Sequence, residues 1–178
     1  MALHLEQVVL VDEYDVAFGA AEKHAAHRAP GALHRAVSAW LVDDRGRVLL
    51  QQRAFSKYHF AGRWSNACCT HPRPGESTID AVRRRLDEEL GLRPELWPAG
   101  SFVYLATDPT SELVEHELDH VFVGVLTGQP MPDPAEVADV QLIEPDELAR
   151  RLREPRLAVH YTPWLADVMA IATRTGRA

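Results

Sequence analysis

A single capped, amphipathic helix near the middle of the chain constrains the fold more than any other segment. Ser77 begins a Ser-Thr-Ile-Asp sequence that is typical of a helix N-cap. Gly91 is the residue type that most often follows the end of a helix. Between them, apolar side chains recur at spacings of three and four residues: Ile79, Val82, Leu86 and Leu90. Such a stripe needs a second layer to cover it, so the sequence predicts a helix over 77–90 packed on another element.

Short apolar runs on both sides of this helix predict that second layer. The predicted strands are 8–11, 36–42, 48–53, 102–106, 119–126 and 137–143. The turn at 43–46 joins two of them into a hairpin, and 54–76 is predicted to be a long loop. Further helices are predicted over 20–28, over 145–153 and from Thr162 onward. This order favours one α/β (α+β) domain over residues 1–178, with a mixed sheet covered by helices.

Charge and cysteine content limit the classes of function. The formal net charge of −7 argues against a general nucleic-acid binder. A local cluster of cations could still hold a small anionic substrate. The two cysteines, Cys68 and Cys69, are adjacent and poorly placed for a structural disulfide, which favours a reducing compartment. The longest apolar run, 39–42, is far below the ~20 residues of a membrane span, so we expect a cytoplasmic protein with no membrane contact.

Histidine and glutamate residues in separate segments are candidates for a metal site. The histidines with the most informative neighbours are His24, His27, His34 and His71. Glu115 and Glu117 are two residues apart, so in an extended segment they share a face. Mixed nitrogen and oxygen ligands suit Zn²⁺, Mn²⁺ or Mg²⁺. Each histidine alone is better explained as a surface or core residue than as a ligand, so this site depends on the fold joining distant segments.

Charged residues and a cysteine provide further candidates. On the predicted helix, Glu88 and Glu89 could hold a hard divalent cation, although a solvated Arg85–glutamate pair explains that helix as well. Three cations near predicted element ends suit a diphosphate, with solvated charge as the alternative: Lys23, Arg53 and Lys57. A cysteine near His71 could act as a base or nucleophile, while Cys68 is expected to be a buried apolar residue.

Seven segments, taken together and in order, resemble the type 1 isopentenyl-diphosphate isomerases. They are residues 22–27, 33–34, 53–57, 64–72, 106–109, 113–117 and 162–164. This resemblance implies a Nudix-like α/β/α sandwich. The Nudix helix signature is retained at Glu76, Arg84, Glu88, Glu89 and Gly91. Thr70 stands where the signature has glycine and Arg85 where it has a glutamate, and the added cation suits a protein that grips a diphosphate without cleaving it.

The resemblance also implies a role for each site residue. One divalent ion, Mn²⁺, Mg²⁺ or Zn²⁺, would be bound by His27, His34, His71, Glu115 and Glu117. Glu89 would help hold a Mg²⁺ that arrives with the diphosphate. The diphosphate oxygens would be held by Lys23, Arg53, Lys57 and Arg85. Glu117 and Tyr104 would protonate the terminal methylene, Cys69 would remove a proton from the opposite face as a thiolate, and Trp164 would stabilise the carbocation between them.

The expected reaction is therefore the isomerisation of isopentenyl diphosphate to dimethylallyl diphosphate in isoprenoid precursor synthesis. One alternative is a Nudix hydrolase of a nucleoside or prenyl diphosphate. Others are a paralogue that acts on a modified prenyl diphosphate and a binding module without catalysis. The sequence leaves the oligomeric state open between a monomer and a weak dimer.

Overall fold

The computed structural model describes residues 6–176 of the chain. Its strands are β1 Gln7–Val11, β2 Ala17–Glu22, β3 His34–Val42, β4 Val48–Arg53, β5 Trp64–Ser65, β6 Cys68–Thr70, β7 Leu96–Thr107, β8 Val114–Val125 and β9 Val137–Ile143. Its helices are α1 Lys23–Ala26, α2 Thr78–Leu90, α3 Pro145–Arg153, α4 Pro155–Ala158 and α5 Leu165–Thr173. Among the residues described, no helix is long and apolar enough to cross a membrane.

The sheet is mixed and is organised around β3. β3 runs parallel to β8 from the pair His34–Glu117 to the pair Val42–Val125, and antiparallel to β1 and β6. β7 extends the sheet beyond β8, and β9 and β5 pair with β4. The predicted hairpin of β3 and β4 is confirmed only at its turn, where Val42 pairs with Val48. Beyond that pair the strands separate, because β6 pairs with β3 over residues 37–39.

Helices cover both faces of this sheet, as the predicted sandwich requires. Alternate residues of β3 enter two apolar clusters, with Leu41 in one and Trp40 in the other. α2 closes the first cluster with Val82, Leu86 and Leu90, all fully buried. At about 1.5–3 kcal/mol for each large apolar side chain buried, this stripe is a major contribution to stability. α3 and α5 close the second cluster.

The predicted caps of α2 are confirmed by the structure. The Ser77 hydroxyl accepts a hydrogen bond from the backbone N–H of Asp80, with 3.2 Å between the oxygen and the nitrogen. Gly91 ends the helix in the left-handed region, with φ 63°. The bounds predicted for α3 are also confirmed. Sequence patterning therefore located the elements whose local signals are strong.

Some predicted boundaries are wrong, and each error has a physical cause. The helix predicted over 20–28 is only α1, because the residues before it form β2 against the edge of β1. The loop predicted over 54–76 contains the short strands β5 and β6. β8 begins at Val114, five residues before the predicted start. The prediction missed this part of the buried strand because charged side chains interrupt its apolar pattern. These charges lie in the candidate active site.

Candidate active site

One pocket collects every residue that the sequence predicted for catalysis or substrate binding. Its lining includes Lys23, Arg53, Lys57, Cys69, Arg85, Tyr104, Glu117 and Trp164. His71 and Glu115 line it as well, together with Tyr58, His59 and Thr70, which the sequence did not predict for the site. The pocket wall thus combines cations, carboxylates, one thiol and aromatic rings.

Five predicted metal ligands converge at the inner end of this pocket. Their ligand atoms all lie within 4.8 Å of one another: His27, His34, His71, Glu115 and Glu117. Register explains part of the convergence, because β3 and β8 run parallel and pair His34 with Glu117. Glu115 and Glu117 lie two residues apart on β8 and therefore face the same side. The predicted group is brought together by the fold.

The orientation of two histidine rings supports a cation at this position. His27 donates its Nδ1–H to the carbonyl of Lys23 at 2.6 Å, and His34 donates its Nδ1–H to the carbonyl of Ala32 at 2.8 Å. In a neutral ring this leaves the Nε2 lone pair facing the cluster. The Nε2 of His27 lies 3.0 Å from Glu115, and among the described residues the buried Nε2 of His34 has only a long contact of 3.5 Å, to Glu117 Oε1. A nitrogen lone pair that faces a carboxylate needs a proton or a metal cation between the two, so these residues fit a divalent ion.

The two carboxylates of this group are buried, and their neighbours keep them ionised. Burial alone would raise both pKa values, but hydrogen bonds from His27 and His59 hold the pKa of Glu115 well below its usual value. Hydrogen bonds from His34 and His71 likewise lower the pKa of Glu117. Burial lowers the pKa of His71 well below its ordinary value, which favours the neutral ring that a metal requires.

His59 is a site residue that sequence reasoning missed. Its ring is buried, and its Nε2 contacts the Glu115 oxygen that His27 does not use. It lies in the long segment 54–63, where no periodic pattern marks a residue as buried. Within the described residues its Nδ1 has no hydrogen-bond partner. His59 therefore belongs to the immediate surroundings of the metal group.

Cys69 lies in a dense set of hydrogen bonds. Its sulfur accepts the indole N–H of Trp164 at 3.0 Å, and its own S–H reaches Asn66 Oδ1 at 3.1 Å. The hydroxyl of Ser38 is 3.4 Å from the sulfur and donates to Asp119. Burial, followed by the charge of Asp119, raises the pKa of Cys69 to about 12. The free site therefore favours the thiol, whereas the sequence prediction used the thiolate. Cys68, as expected, is a buried apolar residue.

Tyr104 links the carboxylates to the aromatic wall. Its hydroxyl donates to Glu117 Oε2 at 2.6 Å, and its ring centroid is 5.8 Å from that of Trp164. Burial and the charge of Glu117 raise its pKa well above the ordinary value, so the phenol keeps its proton. Tyr104 and Glu117 thus form a connected proton donor and acceptor beside the indole.

The four predicted cations surround the mouth of the pocket. Arg53 is buried, donates to the carbonyls of His59 and Phe60, and lies 5.8 Å from the Trp164 ring. Lys23 pairs with Glu6 at 2.9 Å. Lys57 and Arg85 share two carboxylates, Glu89 and Glu136. The cations are therefore gathered and, in three cases, already balanced by carboxylates.

Glu89 lies among these cations and is not one of the five grouped ligands. Its buried carboxylate is 2.8 Å from Arg85 and accepts a hydrogen bond of 2.8 Å from Gln51. The predicted role of Glu89 in holding a second Mg²⁺ therefore stays a prediction.

Comparison with known proteins finds a matching domain family and similar proteins that share one name. The family model of the NUDIX domain matches residues 32–165. An isopentenyl-diphosphate Delta-isomerase of Nocardia farcinica is 51% identical over 165 residues, which cover 93% of this chain and 93% of the relative. A Streptomyces griseus protein of the same name is 53% identical, covering 92% of this chain and 81% of the relative.

Solved structures agree on the fold. DR0079 from Deinococcus radiodurans has a TM-score of 0.73 at 22% identity, covering 93% of this chain and 98% of that one. A MutT protein from Methanosarcina mazei has a TM-score of 0.65 at 18% identity, covering 82% of this chain and 96% of that one. At this identity the likeness concerns the α/β architecture alone.

Proposed function

The chain belongs to the isopentenyl-diphosphate Delta-isomerase family of NUDIX-domain proteins, and from that premise we propose how its pocket carries out the isomerisation. The reaction moves one C=C double bond of isopentenyl diphosphate to give dimethylallyl diphosphate and leaves the diphosphate intact. The observation that supports the mechanism best is one pocket that holds a thiol, a phenol–carboxylate pair and four cations.

Hydrolysis of a diphosphate fits this pocket less well. Arg85 stands where the hydrolase signature has a carboxylate, and its guanidinium lies 2.8 Å from Glu89. The arginine at position 85 therefore removes one carboxylate from the cation cluster that a hydrolase would use for metal binding. An arginine at this place instead suits retention of the diphosphate, because a guanidinium binds phosphate oxygens in a bidentate manner.

Diphosphate binding is assigned to the cations at the mouth: Lys23, Arg53, Lys57 and Arg85. The diphosphate group of the substrate carries more than one negative charge at neutral pH, so two or more cations are needed to bind it. The cations hold the diphosphate outside the carboxylate cluster. The apolar prenyl chain of the substrate therefore points inward, toward Trp164 and Tyr104. The charged end of the substrate thereby holds its alkene over the reacting residues.

A divalent ion is assigned to the His/Glu group, with Mn²⁺, Mg²⁺ or Zn²⁺ as the candidates. When bound, the ion supplies positive charge that offsets the two buried carboxylates and tunes the acidity of Glu117. Glu89, beside the cations, is proposed to help hold a Mg²⁺ that enters with the diphosphate. The clustered donor atoms support the first assignment, as does the buried Nε2 of His34, which among the described residues has only a long contact to Glu117.

Proton transfer is assigned to Tyr104, Glu117 and Cys69. The Tyr104–Glu117 pair delivers a proton to the terminal methylene, which creates a tertiary carbocation. The π face of Trp164 stabilises that cation, and the buried surroundings exclude the water that would add to it. Cys69 then removes the allylic proton from the opposite face. Because the free site favours the thiol, the thiolate forms during the cycle. The S–H proton passes to the Ser38 hydroxyl, 3.4 Å away, while that hydroxyl gives its own proton to the Asp119 carboxylate at 2.7 Å.

Removing the resident metal is expected to abolish isomerisation. Without the ion, the buried carboxylates and the facing histidine nitrogens lose the cation that they share. The two carboxylates should then repel each other, and the five ligand side chains should move apart. We expect dialysis against a chelator to lower both the rate of dimethylallyl diphosphate formation and the melting temperature, and readdition of a divalent ion to restore both. Metal content is measured in the same samples. A metal-free protein with full activity and an unchanged melting temperature would refute the metal site.

Four further properties are part of the proposal. The partner of the pocket is a small prenyl diphosphate. A cytoplasmic location is consistent with two free cysteines. The organisation as one domain over 1–178, and a monomer or weak dimer as the oligomeric state, are proposed on the sequence alone.

A further inference from the structure

Glu136 bridges two of the cations at the pocket mouth. A single carboxylate oxygen, Oε2, contacts both the Lys57 ammonium and the Arg85 guanidinium. Two cations that converge on one anionic oxygen form the arrangement that binds a phosphate oxygen. The Glu136 oxygen therefore lies where an oxygen of the diphosphate would be bound.

We propose that Glu136 is an internal competitor of the diphosphate, which the substrate displaces when it binds and which returns when the product leaves. This inference rests on the proposed diphosphate role of Lys57 and Arg85. It adds a residue that sets how tightly the site holds its anion. A weaker hold suits an enzyme whose substrate and product carry the same diphosphate, because the product must leave before the next turnover.

The surroundings of Glu136 allow its side chain to move without the backbone. Its N–H donates to the carbonyl of Asp133 at 2.9 Å, and its carbonyl accepts from the N–H of Ala54 at 3.0 Å. The side chain is 28% exposed and borders an open groove beside Lys57 and Arg85. Rotation about its side-chain bonds is therefore sufficient to release the two cations into contact with a ligand.

A second carboxylate on the same arginine provides a matched control. Glu88 contacts Arg85 Nη1 at 3.2 Å, but its side chain is 41% exposed and it does not line the groove that Glu136 borders with Lys57 and Arg85. Glu89 also contacts Arg85, from the buried side, but we assign it to the Mg²⁺ site and do not use it as a control. Glu88→Gln and Glu136→Gln each remove one negative charge beside Arg85, and only the second removes the anion from the place proposed for the phosphate oxygen.

The test is titration calorimetry of inorganic pyrophosphate into the metal-loaded proteins at one fixed Mg²⁺ concentration. We expect the Kd of Glu136→Gln to be about tenfold lower than that of the wild type, because repulsion between two anions is removed near partly shielded cations. Glu88→Gln should change the Kd by less than about twofold, as for an exposed pair. In a Lys57→Met background the gain from Glu136→Gln should shrink, since one of the two bridged cations is gone.

Any of three other outcomes would overturn the inference about Glu136. Equal or weaker pyrophosphate binding by Glu136→Gln, with normal binding by the wild type, would show that Glu136 positions the cations and does not compete with the ligand. An equal gain in Glu88→Gln would reduce the effect to net charge and would also overturn the inference. If the wild type itself fails to bind pyrophosphate, the diphosphate role of the cations is wrong and the inference falls with it. A folding defect alone cannot tighten binding, so the expected result is specific.

Discussion

Replacement of Cys69 by alanine is expected to reduce the isomerisation rate by about 10³-fold or more, because the allylic proton then has no positioned base. Cys69 accepts a hydrogen bond from the Trp164 indole N–H and is one of only two cysteines in the chain. Its side chain fills little space in the apolar clusters, so the fold should persist. The measurement is the initial rate of dimethylallyl diphosphate formation, with the melting temperature and the Kd of pyrophosphate as checks on the protein.

Cys68→Ala is the matched control for this variant. Cys68 precedes the proposed base directly, but it is fully buried in the cluster under α2 and does not line the pocket. Its replacement should cost about 1 kcal/mol of stability and leave the rate of the folded protein near that of the wild type. Near-normal turnover by Cys69→Ala would remove this residue from the mechanism. A loss of equal size in both variants would point to packing as the cause.

Replacement of Glu117 by glutamine is expected to cause the second large loss, again of about 10³-fold in kcat. Glu117 accepts the Tyr104 hydroxyl at 2.6 Å and lies 2.7 Å from His71 Nε2, so it joins the proton donor to the metal group. The amide keeps the size of the side chain but removes its charge and one proton-transfer oxygen. Both the rate and the metal content should therefore fall.

Two comparisons separate these effects. Assays at saturating divalent ion show whether the rate stays low when the site is filled, which the proton-transfer role requires. Tyr104→Phe removes the phenolic proton and leaves all five grouped ligands in place, so it should lower the rate with little change in metal content. Glu95→Gln, at an exposed position before β7, controls for the loss of one negative charge. Recovery of full activity by Glu117→Gln at saturating ion would limit Glu117 to metal binding.

The sequence predicted the elements with strong local signals and missed those that depend on tertiary partners. α2 carries its own caps and apolar stripe, and α3 begins with Pro145, so their bounds follow from neighbouring residues. The end of β2, residues 20–22, was predicted as part of a helix because local propensity does not show the pairing of β2 with β1. The start of β8 was missed because Glu115 and Glu117 are buried charges, which a pattern of apolar residues cannot reveal.

The residues of the candidate site likewise divide into those that the sequence predicted and those that it missed. The residues carried over from the family resemblance line one pocket or join one ligand group, apart from Glu89, which the structure places among the cations. His59 and Glu136 were missed because no motif marks them and their partners are distant in sequence. His59 contacts Glu115, and Glu136 contacts Lys57 and Arg85. The protonation state of Cys69 could not be inferred either, because it depends on burial and on Asp119.

The most direct test of the central claim is turnover of isopentenyl diphosphate by the metal-loaded protein with Mg²⁺ in D₂O, followed by NMR. The account predicts dimethylallyl diphosphate whose new methyl group carries deuterium, with no release of phosphate or pyrophosphate, because the alkene is protonated and the diphosphate is only held. Release of phosphate or pyrophosphate without migration of the double bond would contradict it and would assign the pocket to hydrolysis.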